Sequence, residues 1–267
     1  MIKSNGKSKP ADTNPGRRSL LLAGAGAIAT PMLAGSLGGC AGARQPAGPA
    51  VEFTPPRVEV GDRWVYREIN RYNGLPLGDV EVTVASAAPL SCNLRRTRSD
   101  TTAGEIARRD AVLVERYAQP WLVDVEPTYD LAMDFAQPMP IVPVSARIGE
   151  AQTSRTRYTV PGYSGTYGWM QRLKVAGTGR IATPAGNFDC IEIERHIWFD
   201  YPDVFRFNSA RVDRVWYAPQ VNRWVRREWT GEYQHENFFN DLGGVRLRDD
   251  WVLWELISYN PAGGARG

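Results

Sequence analysis

One stretch of the chain decides its fold class. Residues 179–199 read GRIATPAGNFDCIEIERHIWF, in which a short turn with Pro and Gly is followed by apolar residues that alternate with polar ones. Pro presets the backbone of a tight turn and Gly completes it, and a period of two is typical of a strand with one buried face. The stretch predicts a β-hairpin with Ile191 and Ile193 on one face of its second strand.

The same rhythm of strands and turns continues on both sides of this hairpin. A second unit runs over residues 211–233 with a turn at residues 218–222, and a third runs over residues 63–84 across Asn73-Gly74, a dipeptide typical of hairpin turns. Further strands are predicted at residues 112–114, 121–123, 153–160, 168–176 and 251–259.

Helical periodicity is weak along the chain. Residues 101–109 and 236–242 are long enough for a short helix at most, and three prolines within residues 137–144 predict an irregular crossing. Many short strands separated by Gly and Pro turns predict an all-β fold, either an antiparallel β-sandwich or a barrel-like sheet, in a single domain.

The first 39 residues have the layout of a bacterial export signal. A polar stretch with five basic residues precedes an apolar run over residues 20–33, which is shorter than the roughly 20 residues that a transmembrane helix requires. Residues 37–40, Leu-Gly-Gly-Cys, resemble the lipobox of bacterial lipoproteins. The resemblance implies that Cys40 becomes the first residue of the mature protein and carries palmitate and other acyl chains, which makes the membrane a partner of the protein.

The export route and the final location stay open between alternatives. Arg17-Arg18 and the apolar residues after them resemble the twin-arginine motif, and ordinary positive charge before a general export signal is the alternative. Ala41 stands where a retention signal of enteric bacteria usually has Asp, which favours the outer membrane, facing the periplasm, over the inner membrane or the cell surface. Composition then predicts a flexible tether over residues 40–56, a β domain over residues 57–260 and a disordered tail over residues 261–267.

The charge balance argues against nucleic acid as a partner. The chain has 32 basic and 29 acidic residues, but residues 1–39 hold five of the basic and one of the acidic residues, which leaves a net charge of −1 on the rest. The basic residues beyond the signal show no stripe that would follow a phosphate backbone. All of them except Lys174 are arginines, and we expect many of these to lie over the surface with their heads in water.

Two cysteines remain once Cys40 is acylated. Cys92 and Cys190 form an even pair in an oxidising compartment. A disulfide between them would close a loop of about 100 residues, which the chain-entropy estimate values at about 4–5 kcal/mol. The alternative is a pair of buried thiols that never meet.

Several motifs resemble a family of Gram-negative envelope lipoproteins. They are turns and core strands at residues 61–67, 184–189 and 217–226, with a looser match at residues 142–150, after which Gln152 replaces the expected Trp. The resemblance covers nearly the whole mature domain and implies an antiparallel β domain. No activity is established for that family, so the resemblance implies no catalytic residues.

Patterns that would indicate catalysis or metal binding are weak. The chain has two histidines, His196 and His235, which are fewer than a His-rich metal site needs, so neither a metal nor another cofactor is predicted. Glu192 and Glu194 lie side by side on one strand face, whereas residues 249–250, two aspartates, point to opposite faces. These patterns assign no acid–base pair, and no catalytic residue is predicted.

Tryptophan is abundant and falls on the predicted strands. The nine tryptophans are Trp64, Trp121, Trp169, Trp198, Trp216, Trp224, Trp229, Trp251 and Trp254. They indicate either a groove for an acyl chain, glycan or peptide or a β core filled by large side chains.

We expect a non-catalytic envelope protein that binds an apolar or amphipathic ligand or an envelope protein. A structural or interaction module and a carboxylate-dependent hydrolase are the alternatives. An open apolar cavity would favour the first function, a closed dry core the second, and buried carboxylates that face each other in a cleft the third.

Overall fold

Antiparallel strands form most of the chain in the computed structural model, which describes residues 48–98, 112–128, 130–235 and 244–264. The strands in these residues are β1 (Ala50–Glu52), β2 (Arg63–Asn70), β3 (Pro76–Ala87), β4 (Leu90–Arg98), β5 (Val112–Gln119), β6 (Leu122–Thr128), β7 (Leu131–Pro140), β8 (Ser145–Arg147), β9 (Ala151–Thr159), β10 (Tyr167–Thr183), β11 (Gly186–Phe199), β12 (Arg206–Ala218), β13 (Arg223–His235) and β14 (Val245–Asn260). Pro219–Val221 form one turn of 3-10 helix. Within the described ranges, no helix has the length and apolar character needed to cross a membrane.

Twelve of these strands close into one antiparallel barrel. Their order is β10-β11-β12-β13-β14-β2-β3-β4-β5-β6-β7-β9, and β9 pairs with β10 to complete the circle. β1 and β8 form a separate two-stranded sheet. The prediction of an all-β, single-domain fold is confirmed, and of the two expected architectures the barrel is the one that forms.

The hairpin predicted at residues 179–199 includes the turn between β10 and β11 and the part of the strand pair next to it. Thr183 pairs with Gly186 across the turn, and Gly186 has a φ of 137°, a conformation that favours glycine. The first strand is longer than expected, because β10 continues through a bulge between Val175 and Gly177. The tip folds back onto β14, where the Ala185 N–H donates to the Leu256 carbonyl at 3.2 Å.

Other segments differ from their sequence-based predictions. β4 was not predicted, and β7 runs through residues 137–140, where prolines predicted an irregular crossing. Proline has no backbone N–H to donate to a neighbouring strand. The strand tolerates prolines here because the register between β6 and β7 shifts between Asp134 and Met139, which interrupts the ladder of hydrogen bonds. β1 lies inside the predicted tether and pairs with β8. The signal, Cys40 and both short helices predicted at residues 101–109 and 236–242 lie outside the described residues.

The two ends of the barrel are filled differently. At one end, which we call the closed end, the ring of Trp121 lies 5.4 Å from that of Trp224 and 5.3 Å from that of Tyr117, and Tyr259 stacks on Trp64 at 5.5 Å. Trp121 occupies the β5–β6 turn with a φ of 63°, not a strand as predicted. The turns β2–β3, β6–β7 and β11–β12 lie at the opposite end, which we call the open end.

A bulge in β6 changes which of its side chains face the barrel interior. Val123 is fully buried in the interior, whereas Val125, although only 5% exposed, pairs with Arg116, whose side chain is half exposed on the outer face. Asp124 is the extra residue between them, so the next inward position falls on Glu126, which is 3% exposed. The bulge thereby brings a carboxylate into the interior.

Candidate ligand-binding cavity

A cavity of about 500 Å³ extends from the open end into the barrel. Its size falls within the usual range for small-molecule sites. The described lining contains carboxylates, arginines and aromatic rings, among them Glu68, Glu126, Asp130, Asp249, Asp250, Arg96, Arg206, Arg211, Arg227, Tyr72, Trp229, Trp251 and Trp254. The cavity is therefore charged and aromatic, in contrast to the apolar cavity that would have matched the simplest expectation.

Five buried charged residues form a network in the barrel interior, of which three line the cavity, and we call the five the arginine cluster. They are Arg195, Arg211, Arg227, Glu126 and Asp213, each no more than 5% exposed. Asp213 accepts hydrogen bonds from Arg195 at 2.7 Å and from Arg227 at 2.8 and 3.1 Å. Glu126 accepts from Arg227 at 2.6 Å. The strands explain the arrangement, because Arg195 on β11 stands directly opposite Asp213 on β12.

The arginine cluster holds both of its carboxylates in the charged form. Burial raises the pKa of Asp213, but the guanidiniums of Arg227, Arg211 and Arg195 outweigh burial and hold that pKa well below its usual value. The same balance lowers the pKa of Glu126. Neither group therefore exchanges a proton near neutral pH, and both supply fixed charge.

Arg211 is bound less completely than the other arginines of the cluster. Its Nη1 donates to Thr128 Oγ1 at 3.3 Å, and its guanidinium lies 5.0 Å from the centre of the Trp229 ring. Its Nη2 lies 3.7 Å from Asp213 and 4.0 Å from Glu126, which are ion-pair distances but not hydrogen bonds. Its Nε is buried and has no partner among the described residues.

The side wall of the cavity pairs indole N–H groups with carboxylates. Trp254 Nε1 donates to Glu68 at 3.0 Å, and Arg96 lies 3.6 Å from the same carboxylate. Trp229 Nε1 donates to one oxygen of Asp250, while the other oxygen is buried without a partner among the described residues. Burial raises the pKa of Asp250. The wall therefore presents both charged and apolar surface to the cavity.

The rim of the cavity is aromatic and arginine-rich. Arg206 pairs with Asp249 at 3.0 Å and lies over the rings of Tyr201 and Tyr233, at 4.9 and 4.3 Å. Trp251 is half-buried at the same end. Arginine held between aromatic rings keeps its charge while its planar face is covered.

A buried arginine also separates the cavity from the closed end. Arg223 is fully buried, pairs with Glu115 at 2.7 Å and lies 3.9 Å from the ring centre of Trp224 and 4.9 Å from that of Trp121. Arg195, Arg211, Arg223 and Arg227 are thus exceptions to the expectation that many arginines beyond the signal lie over the surface. They are buried because each has a carboxylate or aromatic partner inside the barrel.

Of the two alternatives for Cys92 and Cys190, the structure contains the free, buried thiols and not the disulfide. Cys92 lies on β4 and Cys190 on β11, six strands apart in either direction around the barrel. Opposite walls of a packed β structure lie about 10 Å apart, beyond the reach of a disulfide. Burial raises the pKa of the Cys92 thiol to about 12 and that of Cys190 to about 11.

The remaining residues singled out from the sequence lie away from the cavity. His196 contacts Glu194 on the outer face of β11, and Glu194 lies 3.8 Å from Lys174. His235 is half-buried and stacks on Phe205. Among the residues that the structure describes, no three His, Cys, Asp or Glu side chains are grouped so that they could hold a metal ion.

Comparisons with known proteins add a limited resemblance. No protein-family model matches the chain, and no curated protein matches it. One similar solved structure is a predicted lipoprotein from Parabacteroides distasonis, with 12% identity, a TM-score of 0.44 and coverage of 77% of this chain and 97% of that one. Another is a predicted exported protein with a YmcC-like fold from Bacteroides fragilis, with 12% identity, a TM-score of 0.37 and coverage of 79% and 100%. Likeness at this level carries no functional argument, so membership of the envelope family stays a resemblance.

Proposed function

We propose that this protein is a bacterial envelope lipoprotein whose barrel binds an amphipathic ligand in the cavity at its open end, without chemical turnover. The cavity of about 500 Å³ is the observation that carries the proposal. The location rests on the export layout of residues 1–39 and on the lipobox that ends at Cys40. The anchor would hold the protein at the outer membrane, facing the periplasm, after export by the twin-arginine route.

The lining favours an amphipathic ligand over an apolar one. An acyl chain could not offer a hydrogen-bond partner to Arg211 Nε or to the free oxygen of Asp250. A ligand with polar groups could pair with the side chains of Arg211 and Asp250, both of which line the cavity, while an apolar face packs against Trp229, Trp251 or Trp254. The ligand that fits is therefore polar at the deep end of the cavity and partly apolar along the wall.

The electrostatics of the cavity favour binding over hydrolysis. A hydrolase of the carboxylate type requires a pair of carboxyl groups whose pKa values differ, one acting as an acid and the other as a base or nucleophile. Asp213 and Glu126 both have a lowered pKa because arginines surround them. Asp250 has a raised pKa, but its carboxylate is bound to the indole of Trp229, and Glu126, the carboxylate with a lowered pKa in the same cavity, is bound to Arg227.

The direct test is to identify what the protein carries when it is purified from its own envelope. The domain would be exported without an acylated Cys40, purified without detergent, extracted and examined by mass spectrometry. Trp251→Ala removes a ring from the cavity lining, whereas Trp198→Ala removes a ring that is 42% exposed on the outer face. We expect a small molecule in the wild type and in Trp198→Ala, with less of it in Trp251→Ala.

Two results would contradict the proposal. An empty extract from the wild type, combined with no change in tryptophan fluorescence when envelope extracts are added, would leave the barrel as a structural or interaction module. If a compound in the envelope extract were chemically altered after incubation with the purified domain, this result would indicate turnover and favour the hydrolase.

A further inference from the structure

The arginine cluster contains more positive than negative charge. Three arginines share two carboxylates within it, as the described contacts show. Arg195 and Arg227 use both carboxylates in short ion pairs, so Arg211 is the surplus cation. An uncompensated charge at this depth is costly unless it has a partner.

Asp250 is the next carboxylate that acts on Arg211. The attraction of Arg211 lowers the pKa of Asp250, yet burial dominates and leaves that pKa raised. Asp250 is also committed to the indole N–H of Trp229, and no hydrogen bond joins it to Arg211 among the described contacts. Asp250 is therefore a weak counter-ion, and Arg211, which lines the cavity, keeps a buried Nε and an Nη2 group without a hydrogen bond among the described contacts.

We propose that Arg211 anchors an oxyanion, a carboxylate or a phosphate, carried by the ligand of this cavity. The inference rests on the proposed function and specifies the charge of the ligand. Arg211 is 5% exposed, lines the cavity and has a buried Nε without a partner among the described residues. A guanidinium offers two parallel donors to a carboxylate or phosphate, and such charged pairs are stronger than neutral hydrogen bonds.

The inference also explains why the barrel can keep a surplus arginine. Without Arg211 the cluster would contain Arg195 and Arg227 with Asp213 and Glu126, two charges of each sign. Arg211 therefore adds a third positive charge to ion pairs that balance without it, although it also helps to hold the pKa of Asp213 low. A residue that adds uncompensated charge to a balanced cluster fits a binding role better than a structural one.

The test compares Arg211→Gln with Arg214→Gln, a change of the same kind on the exposed outer face of the same strand. The probes are sodium phosphate and sodium acetate, each measured against sodium chloride at equal ionic strength in the non-acylated protein. The readouts are the arginine Nε–Hε signals in NMR spectra and the thermal midpoint. Arg211→Lys keeps the charge without the planar fork and serves as a second variant.

The Nε–Hε signal that is absent from the spectrum of Arg211→Gln belongs to Arg211. We expect this signal to shift when phosphate or acetate is added to the wild type or to Arg214→Gln. Apparent affinity should fall about tenfold to a hundredfold in Arg211→Gln, as expected for a lost charged hydrogen bond, and less in Arg211→Lys. A response to acetate alone would assign a carboxylate, and a response to phosphate alone a phosphate. Equal responses in all variants, or none in the wild type, would overturn the inference. Recovery of a neutral ligand by extraction would overturn it as well, while leaving the proposed function in place.

Discussion

Asp213→Asn should destabilise the barrel more than any single change at its surface. The substitution keeps the size of the side chain and removes its charge. Asp213 is fully buried and accepts three hydrogen bonds, from Arg195 at 2.7 Å and from Arg227 at 2.8 and 3.1 Å. An amide has only one oxygen to offer, and its NH2 group would point at a guanidinium.

The expected loss follows from what remains in the cluster. Without Asp213, three buried arginines share the single charge of Glu126. Breaking a buried ion pair from one side costs about 3–5 kcal/mol, because the partner charge stays buried without compensation. Domains are stable by only about 5–15 kcal/mol, so this change should remove a large part of the total and lower the thermal midpoint by about 10 °C.

Urea denaturation followed by tryptophan fluorescence measures this loss. Asp134→Asn is the matched control, because Asp134 pairs with Arg116 at 2.8 Å while both side chains are about half exposed, at 49% and 52%. Exposed pairs contribute about 0–1 kcal/mol, so the control should stay close to the wild type. The reasoning is refuted if Asp213→Asn and Asp134→Asn lose similar amounts of unfolding free energy.

Three further outcomes are expected. The pKa values of Asp213 and Glu126 are lowered in the folded protein, so the stability that these two carboxylates contribute is complete above the unfolded-state pKa of about 4 and is lost as the pH falls below it. The urea midpoint of the wild type should therefore decrease from about pH 5 downward, and that of Asp213→Asn should decrease less. The domain without Cys40, denatured without reductant, should react with two equivalents of a thiol reagent, since Cys92 and Cys190 are free; no reaction would mean that they are bonded. Cys40→Ala should leave the precursor uncleaved and without radioactive palmitate, and normal labelling would contradict the predicted lipobox.

The strands could be predicted where the turn residues and the alternating apolar and polar residues lie close together in the sequence. The hairpins at residues 63–84 and 179–199 carry their turn residues and their apolar faces within about 20 residues of each other. The closure of the barrel could not be predicted, because it depends on β14 pairing with β2, where Trp254 stands opposite Glu68. No local sequence pattern specifies that two strands so far apart in the chain will pair.

The buried arginines were missed although part of their signal was present. Ile191, Ile193 and Ile197 mark one face of β11, and Arg195 occupies the same face. The general expectation that arginine lies at the surface outweighed this periodicity. Glu126 could not be placed in the same way, because the bulge at Asp124 changes the alternation and has no clear signature in the sequence.

That bulge determines which face of the sheet each side chain of β6 takes after Asp124. If Asp124 joined the regular alternation of the strand instead of forming the bulge, Val125 and Pro127 would take the inward positions and Glu126 would turn to the outside. Arg227 would then lose one carboxylate, and β6 would present apolar side chains to the lumen in place of Glu126. Deleting Asp124 would instead leave Glu126 facing inward. With the strand order unchanged, the single extra residue of this bulge therefore decides whether β6 presents a carboxylate or apolar side chains to the cavity.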